Sequence, residues 1–158
     1  MHLHARRYSR TLPADVLRKL DGHGDFPNKA NLEAWLSRLF EDFTIEFIAI
    51  FGSIARGQAT QASDLDVFVV ASDFPDHPLR RHDVLNRYLI PNIDARPHTP
   101  AEFQKMVENW DLTVLEVFHD HWFLYDPTGF GERAFETFSA LRQQDKLIRK
   151  DFAWIVNL

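Results

Sequence analysis

Two short β-forming apolar runs, residues 47–51 and 67–70, are close enough in the chain to be neighbouring strands, and the polar segment between them restricts what this chain can become. The first run ends at Gly52-Ser53, which reads as a buried strand delivering a tight turn, with residues 54–57 expected to begin a helical turn. A glycine followed by a hydroxyl at such a start aims free backbone N–H groups at one spot, suited to an anionic oxygen. The Arg56 guanidinium can reach the same spot with its fork of donors. The second run opens with Asp64-Leu65-Asp66. Side chains alternate along a strand, so Asp64 and Asp66 share a face with attachment points roughly 6.5–7 Å apart. Leu65, Val67 and Val69 then take the opposite, core face. Two neighbouring carboxylates repel, and without a cation one tends to keep its proton. Mg²⁺ resolves that conflict, because it prefers oxygen and is commonly shared between one or two carboxylates and substrate phosphates.

Taken together, the Gly52-Ser53 turn, its SxxRG form through Arg56-Gly57, and Ser63 ahead of Asp64-x-Asp66 resemble the signature of the DNA polymerase β-like nucleotidyltransferase superfamily. The nearer resemblance is to its small prokaryotic branch, the minimal nucleotidyltransferase (MNT) proteins. That pattern has a third carboxylate on a following strand, and Asp94 within residues 92–96 supplies one. The resemblance extends over residues 32–103. It implies an α/β (α+β) domain with a small mixed sheet and packed helices, and transfer of a nucleoside monophosphate from an NTP, with ATP expected as donor, to an acceptor hydroxyl. On this carry-over Gly52 and Ser53 hold the terminal phosphates and Arg56 clamps them. Asp64 and Asp66 hold two Mg²⁺ ions, and Asp94 binds the metal at the acceptor hydroxyl and can take its proton. Arg96 either faces the acceptor or triphosphate or pairs with a carboxylate. The resemblance also implies a partner protein, since small relatives stand as antitoxins beside a HEPN-type toxin that they adenylylate.

The chain has 158 residues, 45% hydrophobic and 26% charged, which fits one domain able to bury about 68–70% of its unfolded surface. There is no cysteine, compatible with a reducing compartment. No signal peptide and no apolar stretch of spanning length is expected, so the cytoplasm is the default location. A formal net charge of −5 argues against a general nucleic-acid binder. Local basic groups remain in Arg6, Arg7 and Arg10, in Arg80-Arg81, and in Lys146, Arg149 and Lys150.

The expected organisation is an N-terminal extension with a short helix (1–30), a nucleotidyltransferase core (31–110), and a C-terminal helical extension ending in a hairpin (111–158). Residues 1–11 read as irregular, and His2 and His4 as part of a loose terminus. Val16, Leu17 and Leu20 mark the first helix, and residues 21–29 a linker. Leu32, Trp35, Leu36, Leu39, Phe40 and Phe43 trace one apolar helical face. Residues 79–89 read as a crossover helix and 93–97 as a strand carrying Asp94 and Arg96 on one face. Thr99-Pro100-Ala101-Glu102 is a capping box with proline at the first helical position. Helices are then expected over 112–118 and 130–141, and a hairpin over 147–156.

His119-Asp120-His121 invites a metal reading, but its spacing supplies no full site and no cysteine can complete one. Two other functional classes compete with catalysis. A non-enzymatic antitoxin or interaction module could retain the site, using Trp122, Phe123, Tyr125 or Trp154 as a surface, although core packing explains those aromatics equally well. A nucleic-acid-binding domain is disfavoured by charge.

Overall fold

The computed structural model describes residues 12–158; the expectations for residues 1–11, including Arg6, Arg7, Arg10, His2 and His4, lie outside the described residues. The elements, in chain order, are α1 (Ala14–Gly22), α2 (Lys29–Asp42), β1 (Ile45–Phe51), β2 (Leu65–Ala71), α3 (Pro78–Asn86), β3 (Ile93–His98), α4 (Pro100–Glu108), α5 (Leu112–His119), β4 (His121–Tyr125), α6 (Phe130–Gln143), β5 (Leu147–Lys150) and β6 (Ala153–Val156). A mixed α/β architecture results. Four strands form one sheet in the order β3-β2-β1-β4, with β5 and β6 as a separate hairpin. β1 runs antiparallel to both β2 and β4, and β2 runs parallel to β3. The parallel step requires a crossover, which α3 provides.

Both faces of the sheet are covered. Leu65, Val67 and Val69 pack with Val16 and Leu20 of α1 and Leu32, Leu36 and Leu39 of α2. Phe68 and Val70 pack on the other side with Phe103, Leu115, Phe118 and Phe138 from α4, α5 and α6. This corrects the expectation of a single core face on β2. The strand is apolar at nearly every position because both neighbours are dry, and only its first residues, around Asp66, escape the second core.

The aromatic run at residues 121–125 supplies the fourth strand. Trp122 and Leu124 pack toward the first core and Phe123 toward the second, as alternation along a strand requires, while Tyr125 joins the first core where the register with β1 shifts. His23 from the supposed linker stacks on Trp122 with ring centroids 3.7 Å apart, which ties that connection to the sheet edge.

Arg81 is not part of a solvated basic pair. It is 2% exposed. Its guanidinium meets Glu102 Oε1 at 2.7 Å and donates to the carbonyls of Pro75 at 2.5 Å and Asp76 at 2.8 Å. Glu102 is also half of the Thr99 capping box: the Thr99 N–H donates to Glu102 Oε1 at 2.9 Å and the Glu102 N–H to Thr99 Oγ1 at 3.3 Å. One carboxylate thus starts α4 and neutralises a buried cation that fastens the end of β3 to α3. Replacing Glu102 by Ala removes a cap and the counter-ion together, and is expected to cost about 2–4 kcal/mol in urea unfolding. A loss below about 1 kcal/mol would mean that the carbonyls of Pro75, Asp76 and Pro97 alone satisfy Arg81.

Candidate active site

The sheet register lines up one row of residues from edge to edge. Asp94 of β3 lies opposite Asp66 of β2, Asp66 opposite Phe51 of β1, and Phe51 opposite His121 of β4. Directly opposed residues in neighbouring strands face the same way. Phe51 belongs to the second core and His121 stacks on Phe123 and Phe135, so the whole row looks out on that side, where the helical cover ends. Asp64 stands just before β2, held there by the Leu65 N–H, which donates to the Asn92 carbonyl at 2.8 Å.

Gly52 follows Phe51 with φ +75°, a conformation that side chains resist. A Cβ there would also stand 2.3 Å from Asp66 Oδ2. Glycine is therefore required twice, by the backbone and by the carboxylate pressed against it. The turn beyond differs from the expected helix start: residues 52–57 form successive turns, with the Arg56 N–H donating to Gly52 O at 3.2 Å and the Gln58 N–H to Ser53 O at 2.9 Å. Ile54, 3% exposed, is drawn down into the first core, and Gly57 at φ +72° closes the turn before a helix can propagate. The amides of residues 53–55 donate to none of the turn's own carbonyls.

Ser63 accepts the Thr60 N–H through Oγ at 2.9 Å. Asn28 Nδ2 donates to the carbonyls of Gln61 and Ser63. These contacts hold the loop that delivers Asp64.

Asp66 is the perturbed group of the row. Burial first, then the charge of Asp94 and a carboxyl–carboxyl hydrogen bond with it, push its pKa up to about 6, while Arg96 opposes and Asp64 adds to the rise. Arg96 itself pairs with Asp94, Nη2 to Oδ2 at 3.2 Å. Arg56 turns elsewhere: its Nη1 lies 3.7 Å from Asp120 Oδ2 and its Nε donates to Gln58 Oε1 at 3.3 Å. The structure therefore brings Asp64, Asp66, Asp94 and Gly52 together and places Arg56 on the far side of the turn, toward the α5–β4 junction.

Among the described residues no three His, Asp or Glu side chains form a ready-made cage for a metal. The donor set nevertheless fits Mg²⁺. The carboxylate oxygens are hard ligands, the Asp66–Asp94 pair is crowded enough to hold a proton, and a divalent cation that takes only one or two carboxylates would relieve that crowding.

Sequence reasoning missed the second half of this surface. His119 and Asp120 end α5, and Arg142 reaches them from α6: Arg142 Nη1 lies 3.2 Å from His119 Nδ1 and His119 Nε2 lies 3.6 Å from Asp120 Oδ2. Burial lowers the pKa of His119; Asp120 works against this, and Arg149 and Arg142 reinforce it. Burial likewise lowers that of His121, against its contact with Phe118 O and the charges of Glu132 and Asp120. The His-Asp-His triplet was visible in the sequence, but nothing in it pointed to an arginine on a later helix.

Residues 35–115 match the family described as "Polymerase beta, Nucleotidyltransferase", and the chain belongs to that family. A chain of Methanocaldococcus jannaschii named as a protein adenylyltransferase is 39% identical over 56 residues, 34% of this chain and 38% of that relative, so the match spans well under half of the relative's length. Among solved structures, a toxin–antitoxin complex with AMP-PNP contains a chain that is 19% identical with a TM-score of 0.48, the alignment covering 71% of this chain and 87% of that one. The complex of a tri-AMPylated Shewanella oneidensis HEPN toxin with its MNT antitoxin gives 16% identity and a TM-score of 0.45 over 74% of this chain and 91% of that one.

Two outcomes follow from the packing of Gly52 on Asp66. Gly52→Ala is expected to lose about 2–3 kcal/mol, and pairing it with Asp66→Ala should recover about 1 kcal/mol, since part of the loss is contact with the carboxylate and part is backbone strain. Strict additivity in the double-mutant cycle would show that the carboxylate moves aside freely. The raised pKa of Asp66 gives a definite sign with pH. The native state holds this proton more tightly than the unfolded chain, so metal-free stability falls as pH rises from about 4 to about 6 and stays lower above that. After discounting for solvent at a half-buried site, Asp66→Asn should be about 1–2 kcal/mol more stable than the parent at pH 7, with the gain gone near pH 4. Urea unfolding at the two pH values measures it, and equal gains at both would exclude Asp66 titration as the cause.

Proposed function

We propose that the chain is a Mg²⁺-dependent nucleotidyltransferase that moves AMP from ATP to a hydroxyl group on a partner protein. The observation that carries this reading is the row across the sheet, in which Asp94 and Asp66 stand side by side while Gly52, with no side chain, leaves the Asp66 carboxylate room beside the amides of residues 53–55. Family membership supports nucleotidyl transfer, and the M. jannaschii relative named as a protein adenylyltransferase supports AMP and a protein acceptor.

In this reading Gly52 and Ser53 bind the terminal phosphates of the nucleotide through backbone N–H groups and the serine hydroxyl, and Asp64, Asp66 and Asp94 hold two Mg²⁺ ions. When bound, the ions supply positive charge at the attacking and leaving oxygens of an in-line displacement. On this reading Asp94 takes the proton of the acceptor hydroxyl, whose oxygen bonds to the α-phosphorus as the bond to the β-phosphate oxygen breaks and pyrophosphate leaves. Arg96, held by Asp94, restrains that carboxylate. A HEPN-type toxin is the partner to test first, because the minimal nucleotidyltransferase proteins that this chain resembles modify such toxins.

The non-enzymatic reading also has a specific observation behind it. The aromatics first considered for an interface, Trp122, Phe123, Tyr125 and Trp154, are all partly buried against the cores, but Phe152 at 87% and Leu158 at 72% exposed leave the terminal hairpin apolar and open. Such a surface suits contact with a partner whether or not the partner is modified.

Incubation with ATP labelled at the α or the γ position, Mg²⁺ and a candidate partner separates the readings. Label should pass to protein from the α position only, and Asp66→Asn should reduce it on the order of 10³-fold while remaining folded. Transfer from γ alone would indicate a kinase. Near-normal transfer by folded Asp66→Asn would refute the role given to that carboxylate.

A further inference from the structure

The edge strands of the two sheets are β3, β4, β5 and β6, and among the described residues only β6 is left unguarded. β3 carries Asp94, Arg96 and Pro97. β4 is covered by His23 and Phe26, whose rings meet Trp122, and β5 carries Arg149 and Lys150. Charge, proline and cover are the means by which proteins keep strand edges from pairing. Residues 152–158, which comprise β6 and its flanks, contain no charged side chain and no proline, and Ile155 and Val156 are 42% and 45% exposed. We propose that the open edge of β6 pairs antiparallel with β6 of a second copy of this chain, joining the two hairpins into one continuous sheet across a twofold axis through Ile155. The inference is independent of the transfer reading and concerns a segment beyond residues 35–115, which match the family.

The backbone carries it. The Asn157 N–H donates to Lys146 O at 2.8 Å, and the hairpin pairs Leu147 with Val156, Ile148 with Ile155 and Arg149 with Trp154. Bonded and non-bonded pairs alternate along an antiparallel ladder. Ile155 therefore commits its backbone groups to Ile148, while the N–H and C=O of Trp154 and Val156 point away from β5. A second β6, antiparallel and centred on Ile155, meets those groups with its own. Trp154 then lies opposite the second copy's Val156, Val156 opposite its Trp154, and the two Ile155 side chains face each other. The same register sets Leu158 beside the Phe152 turn of the other copy, so that these exposed apolar side chains cover one another. A twofold axis presents the same patch to itself, and this patch has no charge to repel its copy. A charged segment of an unlike protein would find no counter-charge on residues 152–158, which favours the chain's own apolar strand as the occupant.

The turn that presents the edge points the same way. Asp151 and Phe152 have φ +50° and +66°, the conformation of a two-residue hairpin turn that ordinarily takes asparagine and glycine. A phenylalanine in that conformation is an outlier. Its ring faces solvent, with the Arg149 guanidinium carbon 5.6 Å from the ring centre. Burial in its own chain does not offset the strain, whereas contact with Leu158 of a second copy would. The strand itself is well seated, because Trp154 Nε1 donates to Glu116 Oε1 at 2.8 Å and Leu147 is buried beneath the hairpin.

Sedimentation equilibrium of the full chain, at concentrations from about one to several hundred micromolar, should show the mass passing from monomer to dimer. Ile155→Lys and Ile155→Asp each set like charges opposite one another and should weaken association at least about tenfold. An equimolar mixture of the two should restore it, since opposite charges then meet across the axis. Val156→Pro removes an outward N–H without touching the ladder to β5 and should leave a monomer. Melting temperatures at the lowest concentration check each fold, and Val156→Pro decides the matter if a charged variant melts early. Amide exchange at Trp154 and Val156 should slow as the concentration of the unaltered chain rises, and should not in Ile155→Lys. An unaltered chain that stays monomeric throughout, a dimer that Ile155→Lys and Val156→Pro leave intact, or a mixture of folded charged variants that fails to associate would each overturn the proposal. A monomeric chain whose binding to a candidate partner protein is lost in Ile155→Lys would give the edge to an unlike protein and overturn the second copy as its occupant.

Discussion

The contact between the Asp66 carboxylate and the backbone of Gly52 is the constraint on which the site depends. It exists because β1 ends where β2 begins, antiparallel and in register, so the residue after Phe51 must turn away directly beside the first carboxylate of the next strand. Any Cβ at that place would occupy the volume of Asp66 Oδ2. The parallel pairing of β3 then sets Asp94 on the other side of Asp66, so the carboxylate is confined between a bare backbone and a second acid. Its raised pKa follows from that confinement. The fold thus maintains a repulsive arrangement that a cation would relieve, as expected of a site where local stability is given up for chemistry.

What permits the arrangement is the sheet being covered on both faces. A strand exposed on one side could let two crowded acids relax by twisting outward. Here Phe68 and Val70, on the same face of β2 as Asp66, are clamped by α4, α5 and α6, and Val67 and Val69 by α1 and α2. Interiors packed at this density yield little to local strain. The buried Arg81, joined to Glu102 and to the carbonyl of Pro97 near the end of β3, fixes the strand that carries Asp94. Structural and functional charges are therefore separated along one element: the paired cation sits at one end of β3 and the acid at the other.

Much of this was legible in the sequence, for identifiable physical reasons. Helix α2 shows one apolar face at helical spacing, and the Thr99 capping box marks the start of α4 to the residue. Asp64-x-Asp66 at the head of an apolar run marks the start of β2, which begins at Leu65 with Asp64 just outside it. Less legible were features that depend on partners distant in the chain. The alternation of β2 between two dry faces reads as a plain apolar run, which leaves the second core hidden. Arg81 resembles a surface arginine until the carbonyls of Pro75 and Asp76 and the carboxylate of Glu102 surround it. The turn after Gly52 fails to become a helix because Ile54 finds the first core, a tertiary preference that outweighs local propensity.

His119, Asp120 and Arg142 illustrate the same limit in a functional setting. A pair of imidazoles two residues apart suggests metal ligation only while the triplet is considered alone. In the fold, His119 spends its Nδ1 on an arginine and aims Nε2 at a carboxylate, so its polar atoms serve to link charges. The segment that matches the family ends at residue 115, before this junction, and supplies the carboxylates Asp66 and Asp94 and the Gly52 turn. The remainder of the chain adds β4, which places His121 opposite Phe51 in that row, and α6, which brings Arg142 to His119. An acidic chain can gather cationic groups in this way because screening confines each charge to a neighbourhood of roughly 8–10 Å. Which side chains share that neighbourhood matters more to the local field than the net charge of the whole.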